Sequence, residues 1–325
     1  MGRTMLLMNQ NNISHPIIID TDMAPDDWAA ILYLAKREDV RIKGITITGT
    51  GEVHGKQGAI NCLRLLELLN KSHIPVAYGS SKPLKFSHKF PWIMRFAVDR
   101  RLFIKFPKTK KKPLDIKALD LMNKIVNSSS KKIYLIALGP LTNLAKVLQK
   151  YSETKENIEK IYIMGGAVDV KGNISEVSRS IDNPYAEWNI YCDPHAANIV
   201  FQSGIPIVLV PLDVTNQVPI DKKFINRLKD NQNNVICQFL LKIIKRFGSR
   251  IEKSSIPFWD LVAASILGNE VIVKKETRKI RVIAQEGRQS GRIIEDPEDG
   301  TLIEICKKID REEYLRNVFN TILSR

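Results

Sequence analysis

Nothing narrows the possible folds of this chain more than the run Pro16-Ile17-Ile18-Ile19, followed at once by Asp20, Asp22, Asp26 and Asp27. Successive β-branched apolar residues read as a strand buried on both faces, the pattern of a parallel sheet covered by helices. The acids fall where that strand would end. In open α/β sheets, ligands bind at the carboxyl ends of the strands. Four like charges so close together repel unless a cation lies among them or some are protonated. Hard oxygen donors of this kind suit Ca2+ or Mg2+. A single Asp at a helix start is ordinarily an N-cap. Asp26 alone would fit that role, but four acids at one strand end exceed it.

The rest of the chain continues the alternation. Residues 26–37 read as a helix with acids in its first turn. Residues 42–48 form the next strand, and 56–69 a helix with Ile60, Leu63, Leu65, Leu66 and Leu69 near helical spacing. Residues 133–138 and 141–149 repeat the pair, as do 161–164, 195–202 and 207–212. Such β-α-β order predicts an α/β fold with an open, mainly parallel central sheet flanked by helices, Rossmann-like in kind. Two segments break the rhythm. Residues 81–113 are basic and aromatic, with Phe86, Phe90, Trp92, Phe96, Phe103 and Phe106, and read as helical or as a cap over the sheet. Residues 278–305 read as short strands with turns at Glu286-Gly287 and Asp299-Gly300. With no internal repeat and no sharp change of composition, residues 1–325 are expected to form one domain, with 81–113 as an insertion.

Composition excludes several classes. Hydrophobic residues are 44% and charged residues 26%, the profile of a soluble globular protein. Cys62, Cys192, Cys237 and Cys306 form no CxxC pair, which argues against a disulfide framework or a zinc site and fits a reducing compartment. The N-terminal residues are too polar for a signal peptide, and no run approaches the ~18 apolar residues of a membrane span. A cytoplasmic protein with no membrane partner is expected. The net charge of +15 raises the question of nucleic acid. The basic residues read as scattered, apart from Lys108, Lys110, Lys111 and Lys112, with no zinc-finger or RNA-binding pattern. A lysine-rich solvated surface without a specific nucleic-acid partner is the expectation.

Two rival motifs fail on their residues. Phosphohydrolases of the haloacid dehalogenase type use DxDx[TV], but here Asp20-Thr21-Asp22-Met23-Ala24 lacks the final Thr or Val. Gly49, Gly51 and Gly55 are spaced one residue too widely for GxGxxG and follow the second strand instead of the first. They read as positions where the backbone turns tightly or passes close to a ligand.

The run Asp20-Thr21-Asp22-Met23-Ala24-Pro25-Asp26-Asp27 resembles the DxDxxxDD signature of the inosine–uridine preferring nucleoside hydrolase family. Further segments are similar to that family in the same order: GITITGTGEVHG, ALGPLTNLA, IMGGAV with Gly172-Asn173, AEWNIYCDPHAA, PLDVT and FWDLVAA. The likeness runs from about residue 17 to residue 264.

The resemblance implies a calcium-dependent ribonucleoside hydrolase that yields ribose and a free base. Asp22, Asp27 and Asp260 would bind calcium through carboxylates and Leu138 through its backbone carbonyl. Asp26 would take a proton from the attacking water, and Asp20 would support the ligands from behind. Glu187 and Asn189 would hold ribose hydroxyls, with Asn173 near the 5′-hydroxyl and Asn183 competing for that place. Glu52, in place of a family Asn, would face the 2′-hydroxyl. His54, in the glycine loop, is a candidate leaving-group acid, while His73, His88 and His195 read as surface or cap residues. Some members carry a His before the last aspartate ligand; here it is Trp259, which has no proton to give but can stack on a purine. Trp at that place implies purine preference, and the family implies a homodimer or homotetramer. Two alternatives stand beside this reading: a metal-dependent phosphohydrolase, which would want a lysine near the acids, and a non-catalytic nucleoside-binding protein, which would have no need of Asp26.

Overall fold

The structure is a computed structural model and describes residues 14–248 and 257–324. Its first strand, β1 (His15–Thr21), is central. Ile17 and Ile19 enter one core cluster and Ile18 enters another, because successive side chains of a strand point to opposite faces. All three isoleucines are fully buried, and each such burial stabilises the fold by about 1.5–3 kcal/mol.

The other strands are β2 (Val40–Ile47), β3 (Val76–Tyr78), β4 (Ile133–Ala137), β5 (Ile158–Met164), β6 (Ile207–Val210), β7 (Val273–Val282), β8 (Ile293–Glu295) and β9 (Thr301–Ile309). They form one sheet in the order β3-β2-β1-β4-β5-β6-β9-β7-β8. From β3 to β9 neighbouring strands are parallel, while β7 pairs antiparallel with both β9 and β8. The expected open, mainly parallel α/β sheet is therefore present. The chain runs outward from β1 through β2 to β3, then crosses back to start β4 on the other side of β1. This reversal opens a crevice beyond the carboxyl ends of β1 and β4, where α/β sheets place their ligands. Leu138 N–H donates to Asp20 O at 2.8 Å, tying the two strand ends together.

Several boundaries differ from those read in the sequence. The helix expected over 56–69 spans Gly55–Leu66 and tightens to a 3-10 turn at Glu67–Leu69, which Asn70 ends in the left-handed conformation at φ 53°. Strand β3, only three residues long, carries too little periodicity to be seen in advance. Strand β7 is ten residues long and begins before residue 278. Its charged run escapes an apolar search because antiparallel strands can keep one face in water, and here Lys275 pairs with Glu270 and Glu304. Residues 81–113 hold one eight-residue α-helix, Trp92–Asp99, and a 3-10 turn, Arg101–Phe103, in otherwise irregular chain. The segment is a cap: Val98, Ile104 and Phe106 enter the core, where the Phe106 and Trp28 rings meet edge to face at 5.0 Å.

Candidate active site

The acidic run folds back on itself at the end of β1. Met23 takes a left-handed φ of 55°, its N–H donates to Thr21 Oγ1 at 2.9 Å, and its carbonyl accepts from Trp28 Nε1 at 2.9 Å. A non-glycine residue persists there only where its surroundings hold it. Helix α1 (Pro25–Lys36) then starts with Pro25 in its first turn and Ala24 as N-cap, so Asp26 does not cap it.

Asp22 sits in a slot cut to its size. Its Oδ2 accepts the Glu52 N–H at 2.8 Å. A Cβ on Gly51 would lie 1.8 Å from that oxygen, and one on Gly139 would lie 2.8 Å from the Asp22 nitrogen. Glycine is required on both sides, which answers what Gly51 does. Asp26, Asp27 and Asp260 each turn an oxygen toward a common point, all within 4.8 Å of one another. Asp260 arrives from the helix Trp259–Ile266, far away in sequence. Asp27 shares a short hydrogen bond with Thr21 Oγ1, while Asp27 Oδ2 and Asp260 Oδ1 are buried without a partner. Asp20 lies behind this group, its Oδ1 accepting from Thr46 Oγ1 at 2.7 Å and Asn143 Nδ2 at 2.9 Å. Both donors lay in segments the sequence had singled out, but nothing in the sequence attached them to Asp20.

The electrostatics agree with this crowding. Burial pushes the Asp20 carboxyl up to about 7, against the hydrogen bonds from Asn143 and Thr46. Burial, with Asp22 nearby, raises Asp26 to about 7. Burial raises Asp22 to about 6, against the Glu52 N–H and the positive charge of Arg95. Asp27 and Asp260 are driven well above the carboxylate range by burial and by their acidic neighbours. A bound divalent cation would invert this balance. Buried, unpartnered carboxylate oxygens converging on one point are the donor set a hard cation takes. The residues therefore fit such an ion.

A cavity opens in front of the acids. Asp22, Asp26, Glu52, Leu138, Asn173, Glu187, Asn189, Trp259 and Asp260 all line it, while Asp20 and Asp27 do not. Glu187 caps the short helix Trp188–Cys192, accepting from Gly166 N at 2.9 Å and Asn189 N at 3.0 Å. Burial raises its carboxyl to about 7, against those N–H donors. Asn189 Nδ2 donates to Met164 O at 3.1 Å and Leu138 O at 3.3 Å, fixing the Leu138 carbonyl at the cavity wall. Asn173 N–H donates to Ala186 O at 3.1 Å, beside Gly172, where any Cβ would strike that same carbonyl at 2.0 Å. The Asn173 Oδ1 is buried and unpartnered. Asn183 is used otherwise: its side chain donates to Ser290 O and accepts from Tyr185 and Ala186 N–H, and it does not line the cavity.

Two aromatic placements were not foreseen, those of Phe90 and His88, while that of Trp259 was. Phe90, from the 81–113 cap, lines the cavity and stacks on Trp188 at 4.2 Å, and Trp188 is itself a cavity wall. Trp259 both packs on the core and faces the cavity, its Nε1 donating to Asn216 Oδ1 at 3.2 Å. His88 lies against Tyr191 at 4.2 Å with its Nδ1 on Tyr191 O, an inward position and not a surface one. His54 does not reach the cavity. Its ring pairs with Asp99 at 2.6 Å because the loop presents it outward. The apparent signal, a His among glycines, reported loop position and not direction.

Fold and site together define an α/β protein with a carboxylate-built ligand site at the switch point of its sheet. The chain belongs to the inosine-uridine preferring nucleoside hydrolase family, whose model matches residues 17–316. It is 38% identical over 223 residues to the pyrimidine-specific ribonucleoside hydrolase RihA of Shewanella oneidensis, covering 68% of this chain and 66% of that one, just under two thirds of the relative. Among solved structures it is similar to a plant nucleoside hydrolase, PpNRh1, with TM-score 0.84 and 25% identity over 96% of this chain and 99% of that chain. A purine-preferring ribonucleoside hydrolase from Gardnerella vaginalis gives TM-score 0.82 at 28% identity, over 94% and 98% of the two chains.

Proposed function

We propose that this protein is a calcium-dependent ribonucleoside hydrolase, which cleaves the N-glycosidic bond to release ribose and a free base. The observation that carries the reading is the meeting of Asp26, Asp27 and Asp260 within 4.8 Å, with buried oxygens on two of them left unpartnered. Asp22 is not one of the converging trio but shares the cavity wall with Asp26, Asp260 and Leu138, so Asp22, Asp27, Asp260 and the Leu138 carbonyl would hold the ion, which when bound supplies positive charge and acidifies a water. Asp26, open to the cavity, takes the proton from the attacking water at a carboxylate oxygen. Glu187, Asn189 and Asn173 meet the ribose hydroxyls, and Glu52 faces the same space. As the bond to the base breaks, positive charge grows on the ribosyl group, and the surrounding carboxylates stabilise it. Asp20 keeps the strand end in place through Thr46 and Asn143.

Release of free base from a nucleoside panel, with and without chelator, tests this reading. No release from any nucleoside would overturn it, and phosphate release from nucleotides would put the phosphohydrolase in its place. For the base itself we propose purine preference, supported by Trp259, Trp188 and Phe90 around one cavity, since stacking rewards a larger flat ring. The likeness to a pyrimidine-specific relative points the other way. A higher kcat/KM for inosine than for uridine supports the aromatic argument, and the reverse order sinks it. A homodimer or homotetramer belongs to the same reading and is checked by sedimentation. Among the described residues no helix is long and apolar enough to cross a membrane.

A further inference from the structure

Residues 81–113 contain eleven Lys or Arg and one acid, Asp99, so this tenth of the chain carries ten of its fifteen net positive charges. The one acid is turned inward, with Asp99 accepting from the His54 N–H at 3.0 Å and pairing with its ring. None of the eleven basic side chains pairs with a carboxylate within 4.0 Å among the described residues. The positive field is therefore not cancelled within the fold.

The helix Trp92–Asp99 adds an apolar face to this charge. Val98 is buried, Met94 packs inward, and Arg95 reaches under the helix to the carbonyls of Gly49 and Val53 at 2.8 and 2.7 Å. The opposite arc holds Trp92, Ile93 and Phe96, exposed by 76%, 61% and 45%. The next turn repeats the division. Arg101, Leu102 and Phe103 are three consecutive left-handed residues, at φ 57°, 49° and 58°. That strained turn sends Leu102 against the core and leaves Phe103 65% exposed.

We propose that this face seats the protein on an anionic lipid bilayer. Exposed Trp, Ile and Phe on one side of a short helix, within a strongly basic segment, are what an interfacial membrane contact needs. Lys and Arg near such a surface gain from its negative potential. A second copy of the chain is a poor occupant, because a segment with ten net positive charges would face its own kind. Single-stranded nucleic acid is a poorer match: it would stack on Trp92 and Phe96 but leave Ile93, exposed by 61%, without an apolar partner. Phe90, two residues before the helix, lines the cavity, so the contact would hold the cavity beside the bilayer.

The test uses the full chain with vesicles of phosphatidylcholine alone and of phosphatidylcholine with phosphatidylserine, at about 0.1 M and about 1 M salt, where the Debye length falls from ~10 to ~3 Å. Co-sedimentation with the anionic vesicles only, lost at high salt and accompanied by a blue shift of tryptophan emission, is expected. Trp92→Ser with Phe96→Ser should abolish it. Arg100→Glu, beside the exposed Phe96 ring, should lower partitioning by at least about fivefold. Thermal melting of these variants should match the parent, which separates loss of contact from loss of fold, and this readout does not depend on any nucleoside being cleaved. Four results would each overturn the proposal: no binding to anionic vesicles, undiminished binding by the variants, tighter binding to a single-stranded RNA than to vesicles, or a smaller oligomer produced by Trp92→Ser with Phe96→Ser.

Discussion

The acidic turn at Asp20–Asp27 and the basic cap at 81–113 are both dense clusters of one charge, and they are opposites in every other respect. The acids are drawn into the protein and converge, with Asp22 and Asp27 buried and an oxygen of Asp27 left alone. The bases are spread along an exposed strap, with Lys82, Lys85, Lys89 and Lys108 all in water. Burial decides the consequence. Like charges out of water demand a counter-charge at the same spot, because interactions strengthen as the dielectric falls. Like charges in water are screened within about 10 Å and ask only for an extended partner. One cluster is therefore read as an ion site, and the other as a surface for something large and negative.

Substitutions should show that difference in descending size. Asp26→Asn keeps the shape and removes the proposed base, so kcat should fall by about 10³-fold, with melting unchanged or raised. Retained turnover would break the proposed mechanism. Next comes calcium itself. At a hundredfold excess over its Kd it should stabilise the fold by about 2.7 kcal/mol. In chelator, the pH dependence has a definite sign. Asp20 and Asp26 have folded-state values near 7, above their unfolded values near 4. The folded state then holds more protons in that window, so stability falls as pH rises from about 4 to about 7. A calorimetric series that rises instead would mean the acids are paired by some other group.

Smaller effects probe the cavity walls. Asn189→Ala removes the donor to two carbonyls and the proposed ribose contact, and kcat/KM should drop about tenfold to a hundredfold, by the cost of leaving a buried polar group unpaired. Trp259→Ala should cost about 1–3 kcal/mol for a base that stacks on it. Measured for inosine and uridine separately, an equal loss would remove Trp259 from base selection. The smallest effect belongs to the basic cap. Trp92→Ser should change stability by less than about 0.5 kcal/mol and leave turnover in solution unaltered, because it touches nothing the reaction uses.

Much of the site was legible because its parts are consecutive. The turn from Asp20 to Asp27 is local, and local spacing translates directly into geometry. Glu187, Asn189 and Asp260 were placed by family resemblance and not by residue type alone. What misled was direction. His54 stands in the right loop and faces the wrong way, held outward by Asp99. Phe90 was one of six aromatics in a segment with no period, and only packing on Trp188 selects it.

The sequence by itself determined that a buried parallel strand would end in acids, because three isoleucines and four aspartates leave that stretch no other stable use. The tertiary structure alone decided where that strand lies. Setting β4 on the far side of β1 put Asp20 and Leu138 at the reversal of the sheet, and packing the helix Trp259–Ile266 on α1 brought Asp260 across to Asp26 and Asp27. Strand order depends on how helices cover both faces, a sum over many weak contacts that no short run of residues contains. It also decided that the excess of positive charge, ten of a net fifteen, sits on one exposed strap whose single acid is occupied elsewhere.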